Sequence, residues 1–288
     1  MNPDSAIGRI GYARHDLNNN TGIALLRRPF LQEDKMPDSD SLNAVFARKW
    51  FYEFDFPDGR RTKSYLPAGV EDIHTTRLAM MFSALEPIIG SNYGSHSVID
   101  VACHQGYFAS HLARKGCQVL GIDARPEHVA DTTLIARAYG LDNLRAEQHD
   151  INTLCPADLG QFDVTLMLGL LYHIENPVGA IRLARALTRT ACVIETQVVP
   201  NMTGIVDWGS YQFQRPLVAS FGIIDETEET HAPEASTTGI CITPSYEALL
   251  FLMRKLGFPR VERIAVPVGG YEQLASGKRV MVVGYVNP

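Results

Sequence analysis

Short apolar runs alternate with amphipathic segments along most of the chain. Between residues 97 and 123, an apolar run is followed by a tight loop, a stretch with helical spacing, Gly116 and a second apolar run that ends at Asp123. This order predicts a β-strand, an α-helix and a second strand parallel to the first. Such βαβ units bind nucleotide-like ligands at the carboxyl ends of their strands.

The same alternation continues to the C-terminus and predicts an α/β fold. Further strands are expected at residues 143–149, 162–168, 192–196, 260–266 and 280–286, and helices at residues 127–139, 177–187 and 245–256. Strands that alternate with helices form an open, mostly parallel sheet covered on both faces. Residues 264–268 and 280–285 are too close in sequence for a crossover helix between them, so they are expected to form an antiparallel hairpin at a sheet edge.

Two segments interrupt this regularity. Residues 1–88 are expected to form an N-terminal extension or cap, with an aromatic strand over residues 44–56, a turn from Pro57 to Gly59 and a helix over residues 69–85. The domain at residues 89–288 contains a connection, residues 198–243, that is far longer than the usual length of about 4 to 6 residues. We expect this connection to be a lid or substrate-binding insertion, with disorder as the alternative.

The composition restricts the partners of the protein. The 288 residues carry a net charge of −6 with 26 Lys and Arg residues, so nucleic acid is not favoured as a partner. The five cysteines lack CxxC spacing, and His231 with Glu226, Glu228 and Cys241 lacks metal-ligand spacing, so we predict no metal. Neither a signal peptide nor a run of about 18 apolar residues is recognisable, and we expect a cytoplasmic protein without a membrane partner.

The loop after the first predicted strand has the chemistry of a site for a cationic ligand. Asp100 lies in the strand, and residues 102–106 turn into the helix without the GxGxxG glycines that a pyrophosphate requires. A carboxylate at this place repels phosphate and attracts an ammonium group. Asp123 is placed to accept hydrogen bonds from both hydroxyls of a ribose, and Asp150 with Ile151 is placed to contact an adenine.

Three motifs resemble those of class I S-adenosylmethionine-dependent methyltransferases. They are DVACHQGYFAS at 100–110, GID at 121–123 and LGLLYHIENP at 168–177, and they are most similar to the tRNA wobble-uridine (carboxymethoxyuridine/methoxyuridine) methyltransferase branch. The resemblance implies a Rossmann-like, seven-stranded sheet, S-adenosyl-L-methionine as cofactor and S-adenosyl-L-homocysteine as product. It implies a cofactor site formed by Asp100, Ala102, Cys103, His104, Gly106, Tyr107, Phe108, Asp123, Ala124, Asp150, Ile151, Leu168 and Gly169.

Methyl transfer requires mainly that a nucleophile approaches the methyl group in line. His173, just past the fourth predicted strand, is the candidate general base, with a helix-capping or lid-holding role as the alternative. Tyr172 is expected to orient the substrate or close the pocket, and Glu195 is a weaker candidate base. The residues expected to bind the substrate are Tyr52, Arg61, Tyr65, Trp208, Tyr211 and His231.

The sequence therefore predicts a methyltransferase that acts on an oxygen, nitrogen or sulfur atom of a small molecule. A tRNA-modifying methyltransferase and a non-catalytic S-adenosylmethionine-binding module are the alternatives, and a homodimer is left open. A nicotinamide-dependent dehydrogenase is disfavoured because Ala102 and His104 stand where it needs glycines.

Overall fold

The computed structural model describes residues 39–207, 209, 215–226, 236 and 238–288. The helices of this part of the chain are α1 (Ser39–Phe46), α2 (Asp72–Ile89), α3 (Tyr107–Arg114), α4 (Pro126–Tyr139), α5 (Pro156–Leu159), α6 (Pro177–Leu187), α7 (Tyr246–Lys255) and α8 (Glu272–Ala275). Short 3₁₀ turns occur at Tyr93–Ser95 and Leu171–His173. The predicted substrate residues Trp208, Tyr211 and His231 lie outside the described residues.

Seven strands form the central sheet. The strands of the described residues are β1 (Ser97–Val101), β2 (Gln118–Asp123), β3 (Leu144–Gln148), β4 (Phe162–Leu168), β5 (Thr188–Gln197), β6 (Gly204–Val206), β7 (Arg215–Leu217), β8 (Phe221–Asp225), β9 (Ile240–Pro244), β10 (Arg260–Arg263) and β11 (Arg279–Tyr285). The order in the sheet is β10-β11-β5-β4-β1-β2-β3, and only β10 and β11 run antiparallel to their neighbours. The predicted Rossmann-like, mostly parallel seven-stranded sheet is confirmed.

The strand order places a crevice beside β1. This strand pairs with β2 on one side and with β4 on the other, both in parallel. The chain therefore builds the sheet outwards in two directions from the β1–β4 pair, and ligands of such sheets bind beyond the carboxyl ends of the strands at this point.

Alternate residues of β1 enter two separate cores, one on each face of the sheet. Val98 packs with residues of α2, α3 and α4, among them Met81 and Leu112. Ile99 packs on the opposite face with residues of α6 and α7, among them Ile181 and Leu249. Because both faces of β1 are buried, its register against β2 and β4 is strongly specified.

The prediction of a strand over residues 44–56 is wrong. Residues 39–46 form α1, and the aromatic segment that follows makes only isolated bridges, Trp50 with Ser64 and Asp55 with Arg61. The alternation itself is real, since Trp50 and Phe54 are fully buried. Their rings pack edge to face at 5.4 Å instead of joining a continuous strand ladder. The predicted turn is present, because the Gly59 N–H donates to the Phe56 carbonyl and Gly59 has a positive φ of 84°.

The C-terminal hairpin and the insertion also differ from the predictions in detail. β10 ends at Arg263, so residues 264–268 are not part of a strand, and β11 lies inside the sheet between β10 and β5. Within the described residues, the insertion contains two small antiparallel ribbons, β6 with β7 and β8 with β9. No helix in the described part of the chain is long and apolar enough to cross a membrane.

The contact between β2 and the loop after β1 predicts the effect of one substitution. A Cβ atom at Gly121 would lie 2.8 Å from the Sγ atom of Cys103. Gly121→Ala is therefore expected to lower the free energy of unfolding by about 1–3 kcal/mol because it overpacks this contact. Urea unfolding of the two single variants and of the double variant with Cys103→Ala measures the coupling. The double variant should recover part of the loss, whereas strict additivity would contradict the contact.

Candidate functional site

A cavity opens over the carboxyl ends of β1, β2 and β4. Its walls come from the loops after these strands and after β3, from the aromatic segment before α2, from α2 itself and from the insertion. The lining residues are Phe51, Tyr52, Arg77, Ala102, His104, Asp123, Ala124, Arg125, His128, His149, Asp150, Ile151, Asn152, Leu168, Gly169, Leu170, Tyr172, His173, Ile174 and Ser236. The position agrees with the crevice that the strand order creates.

The loop between β1 and α3 has an unusual backbone. Ala102, His104 and Gly106 all have positive φ angles, of 59°, 51° and 75°. Only glycine adopts this region without steric cost, so the loop stores strain at its first two positions. Gly106 cannot carry a side chain, because a Cβ atom there would lie 2.6 Å from Cγ2 of Thr132 in α4. In this conformation the N–H groups of Cys103 and His104 donate to the Ile122 carbonyl and the Asp123 carboxylate of β2.

Asp123 at the end of β2 holds this loop in place. Its Oδ2 atom accepts a hydrogen bond from the His104 N–H at 3.0 Å, and Oδ1 accepts one from the Arg125 N–H at 3.0 Å. Nδ1 of His128 lies 3.1 Å from Oδ1. Burial opposes ionisation, but these contacts outweigh it and hold the pKa of Asp123 below its usual value. Oδ1 already contacts two nitrogen atoms and Oδ2 one, so Oδ2 can still accept a hydrogen bond from a ligand hydroxyl.

The ring of His104 is part of the aromatic wall of the cavity. Its centroid lies 4.0 Å from the ring of His128, 5.1 Å from Phe51 and 5.5 Å from Tyr52. Tyr52 in turn stacks on Tyr107 of α3, with the ring centroids 4.8 Å apart. The bulky residue in the loop thus connects the aromatic segment before α2 to α4.

Asp100 is buried in an unfavourable environment. It is only 2% exposed, and its Oδ2 atom has no hydrogen-bond partner among the described residues. Burial raises the pKa of this carboxyl from 3.8 to about 7, and the nearby positive charge of Arg77 opposes that rise. Asp100 is thus a carboxyl group that a bound cation would stabilise in its ionised form.

A buried cluster of charges lies next to the cavity. Glu195 of β5 is fully buried between Arg77 of α2, 2.9 Å away, and Arg279 of β11, 2.7 Å away. Arg279 also donates a hydrogen bond to the Tyr172 hydroxyl at 3.0 Å. Burial opposes ionisation of Glu195, but the two guanidinium groups prevail and hold its pKa below the usual value. Glu195 is therefore an ion-pair partner that does not line the cavity, and its prediction as a weaker base is corrected.

The three charged groups of this cluster sum to one positive charge, and the guanidinium that lines the cavity is that of Arg77. Two guanidinium groups share one carboxylate, and Arg77 lines the cavity while it is only 4% exposed. Its Nη2 group makes no well-aligned hydrogen bond within the described residues. A Cβ atom at Gly169 would lie 2.9 Å from this Nη2, so the glycine after β4 leaves room for the guanidinium. This arrangement favours an anionic ligand group beside Arg77.

His173 and Tyr172 lie side by side in the cavity wall. They belong to the 3₁₀ turn after β4, and their ring centroids are 4.1 Å apart. Nδ1 of His173 lies 2.7 Å from Oε1 of Glu226, a residue of the insertion. The Cys103 thiol, by contrast, is buried, and burial raises its pKa well above the usual value, as expected for a packing residue.

The cavity brings together many of the predicted site residues. The cofactor residues that line it are Ala102, His104, Asp123, Ala124, Asp150, Ile151, Leu168 and Gly169, and His173, Tyr172 and Tyr52 also line it. Five predicted cofactor residues, Asp100, Cys103, Gly106, Tyr107 and Phe108, are outside the lining. Arg61 is paired with Asp55 and Glu53, Tyr65 is 41% exposed, and neither lines this cavity. The roles of all these residues in binding stay predictions.

Sequence reasoning missed four residues of the site. Arg77 lies four positions from both Ile73 and Met81, on the helix face that the spacing predicts to be apolar, which is a signal that could have been recognised. His128 is only five positions from Asp123, its partner, but the sequence analysis did not single it out. Arg279 and Glu226 are distant in sequence from the residues that they contact, and no local pattern marks them. Within the described residues, no group of three His, Cys, Asp or Glu side chains could hold a metal ion.

Comparison with known proteins agrees with this fold. Residues 98–191 match the family model described as a methyltransferase domain. The ubiquinone biosynthesis O-methyltransferase of Acinetobacter baumannii (strain AYE) is 29% identical over 92 residues, which are 32% of this chain and 39% of that protein. The ubiquinone biosynthesis O-methyltransferase of Psychrobacter cryohalolentis is 33% identical over 85 residues, which are 29% of this chain and 33% of that protein. The chain thus spans about two fifths of the length of the first relative and about one third of the second.

A solved structure extends the similarity over most of the chain. The N-terminal domain of EvdMO1, crystallised in the presence of SAH and D-fucose, has a TM-score of 0.62 and 20% sequence identity. The match covers 85% of this chain and 95% of that one. These findings confirm the Rossmann-like methyltransferase fold. The tRNA wobble-uridine branch is not confirmed, because the curated relatives named above are ubiquinone O-methyltransferases.

The strained loop predicts a stabilising substitution. Ala102→Gly should raise the free energy of unfolding by about 0.5–1 kcal/mol, because relief of the positive φ outweighs the added freedom of the unfolded chain. Ala130→Gly, at an exposed site inside α4, is the control and should lower it by about 1 kcal/mol. Urea unfolding measures both changes, and equal losses for the two variants would contradict the strain.

The environment of Asp100 predicts a pH dependence of stability. The unfolded chain ionises this group near 3.8 and the folded chain near 7, so between these values the folded state binds more protons and loses stability as the pH rises. Asp100→Asn should therefore gain stability relative to the wild type between pH 4.5 and pH 8. Asp163→Asn is the control, because hydrogen bonds from Ser97 and Arg189 outweigh burial and hold the pKa of Asp163 below 3.8, so this group is ionised in both states over the same range. Urea unfolding at both pH values should show a change in relative stability for Asp100→Asn and none of comparable size for Asp163→Asn.

Proposed function

We propose that this protein is an S-adenosylmethionine-dependent methyltransferase that acts on a small molecule. The observation that carries the proposal is the chemistry of the cavity over β1, β2 and β4. It combines the Asp123 carboxylate with a buried excess of positive charge at Arg77, and the poorly satisfied Asp100 lies two residues before the lining residue Ala102.

The amino-acid end of S-adenosylmethionine fits two buried groups that each have an atom without a well-aligned hydrogen bond. Asp100 has an oxygen without a hydrogen bond among the described residues, and Arg77 has an Nη2 group without a well-aligned one. The ligand has an ammonium group for the first and a carboxylate for the second. Opposite charges in a site of low dielectric interact more strongly than in water, so this zwitterion compensates both costs at once.

The nucleoside end fits the loops after β2 and β3. Oδ2 of Asp123 has one contact from the protein and can accept a further hydrogen bond from a ribose hydroxyl, whereas Oδ1 already has two contacts. Asp150 and Ile151 line the cavity beyond β3, where Ile151 offers an apolar surface to the adenine ring and Asp150 an acceptor to its amino group. The ligand would then extend across the strand ends from β3 to β4.

The methyl end of the ligand would lie near the turn after β4. Tyr172 and His173 line the cavity there, with Tyr52 from the N-terminal segment and Ser236 from the insertion. We therefore assign residues 39–88 and the described residues of the insertion at residues 198–243 the role of a cap that excludes water and positions the acceptor. When bound, S-adenosylmethionine supplies a methyl group on a positively charged sulfur. His173 is the candidate base for the acceptor, and the names of the curated relatives support oxygen among the acceptor atoms.

Calorimetry with S-adenosylhomocysteine tests the proposal. The wild type should bind, and Asp123→Asn should bind about 10- to 100-fold more weakly, because a hydrogen bond to a charged group contributes about 1.5–3 kcal/mol. The exposed Asp158 of α5 provides the matched control, Asp158→Asn, which should bind as the wild type does.

Two outcomes would count against the proposal. Absence of binding to the wild type would refute the cofactor, and equal affinity of the wild type and Asp123→Asn would refute the placement of the ribose. Salt-sensitive retention of the protein on bulk tRNA would instead favour the tRNA-modifying alternative.

A further inference from the structure

Glu226 is a buried carboxylate of the insertion that faces the core domain. It follows β8 directly and is 7% exposed. Its Oε2 atom accepts hydrogen bonds from the Ser236 N–H at 2.7 Å and from the Cys241 thiol at 3.1 Å. Its Oε1 atom lies 2.7 Å from Nδ1 of His173. Oε2 therefore contacts other residues of the insertion, whereas Oε1 contacts a residue of the cavity wall.

The ribbon that carries Glu226 is attached to the turn that carries His173. β8 and β9 pair in antiparallel register, so that Asp225 lies opposite Ile240. The N–H of Ile242 in β9 donates to the carbonyl of Ile174, the residue after His173, at 3.0 Å. Both strands of the ribbon thus contact the same short turn, and the position of Glu226 relative to His173 is fixed at two points.

The contact with Glu226 determines which nitrogen of His173 carries the proton. A carboxylate only accepts hydrogen bonds, and the pKa of Glu226 is below its usual value because contacts with His173, Ser236 and Cys241 outweigh the effect of burial. Nδ1 of a neutral His173 must then be the donor. The basic lone pair of the ring is consequently on Nε2, and His173 lines the cavity.

We propose that Glu226 is the positioning residue that makes His173 the proton acceptor for a neutral hydroxyl group of the methyl acceptor. The inference rests on the proposed methyltransferase function. The acceptor oxygen forms a bond to the methyl carbon while the carbon–sulfur bond breaks and its electron pair stays on sulfur. The hydroxyl proton passes to Nε2 of His173, and the Glu226 carboxylate stabilises the resulting imidazolium. A hydroxyl group needs such a base because it is a poor nucleophile in its protonated form.

Glu226→Gln is an informative test because the site dictates the orientation of the new amide. The Ser236 N–H needs an acceptor, so the amide oxygen takes the place of Oε2. The amide NH₂ then faces Nδ1 of His173, which must become an acceptor, and the ring proton moves to Nε2. The variant therefore keeps the shape of the site while it removes the basic lone pair from Nε2.

Long-range ¹H–¹⁵N spectra of protein with ¹⁵N-labelled histidine read the tautomer directly. The protein is measured at pH 8 with bound S-adenosylhomocysteine, and His173→Gln identifies the signals of His173 among the nine histidines. We expect the Nδ1–H tautomer in the wild type and the Nε2–H tautomer in Glu226→Gln. Asp225→Asn removes an exposed carboxylate one residue away and should leave the wild-type tautomer unchanged.

The results separate this inference from the function on which it rests. An Nε2–H tautomer in the wild type, or an unchanged tautomer in Glu226→Gln, would overturn the role of Glu226 even if S-adenosylhomocysteine binds normally. Failure of S-adenosylhomocysteine to bind would overturn the proposed function, while the tautomer would still be readable in the free protein. On hydroxyl acceptors, Glu226→Gln should lose about 10²- to 10⁴-fold in kcat with unchanged affinity for S-adenosylhomocysteine.

Discussion

The buried ion pairs of Glu195 with Arg77 and Arg279 join the parts of the protein that form the cavity. They connect α2, which precedes the sheet in sequence, to β5 and to the C-terminal strand β11. A buried pair that loses one partner leaves an uncompensated charge, which typically costs about 3–5 kcal/mol. This constraint holds the helix before the sheet against the strand ends. It also places the surplus positive charge at Arg77, in the wall of the cavity.

Backbone strain and a buried polar atom without a hydrogen bond occur at the same cavity. The loop after β1 carries two non-glycine residues in the left-handed region, and Asp100 has an oxygen without a hydrogen bond among the described residues. Neighbouring strands such as β4 are apolar and almost completely buried. The unfavourable free-energy contributions of backbone strain and of an unsatisfied carboxyl oxygen thus occur at strand ends that face the cavity. Such contributions are common where a protein must recognise a charged ligand.

The sequence predicted the periodic parts of the fold and the local parts of the site. β4 and α6 agree with the predictions residue for residue, because β4 is mostly apolar, α6 has apolar residues at helical spacing, and both have clear breaks at their ends. Asp123 and His173 were found because the first ends a predicted strand and the second lies in a motif just past one. The aromatic segment at residues 50–56 was misassigned because period-two alternation reports burial and not strand pairing. Glu226 was missed as a partner of His173 because 53 positions separate two residues whose contact depends on a long connection.

Asp123 also orders the loop after β1 independently of a bound ligand. Its carboxylate accepts hydrogen bonds from the backbone N–H groups of His104 and Arg125, so the loop has ordering contacts that do not depend on a ribose. A ligand that binds at this strand end therefore adds to an existing network and does not have to order the backbone, which removes an entropic cost of association. The same hydrogen bonds remain within the protein when such a ligand leaves.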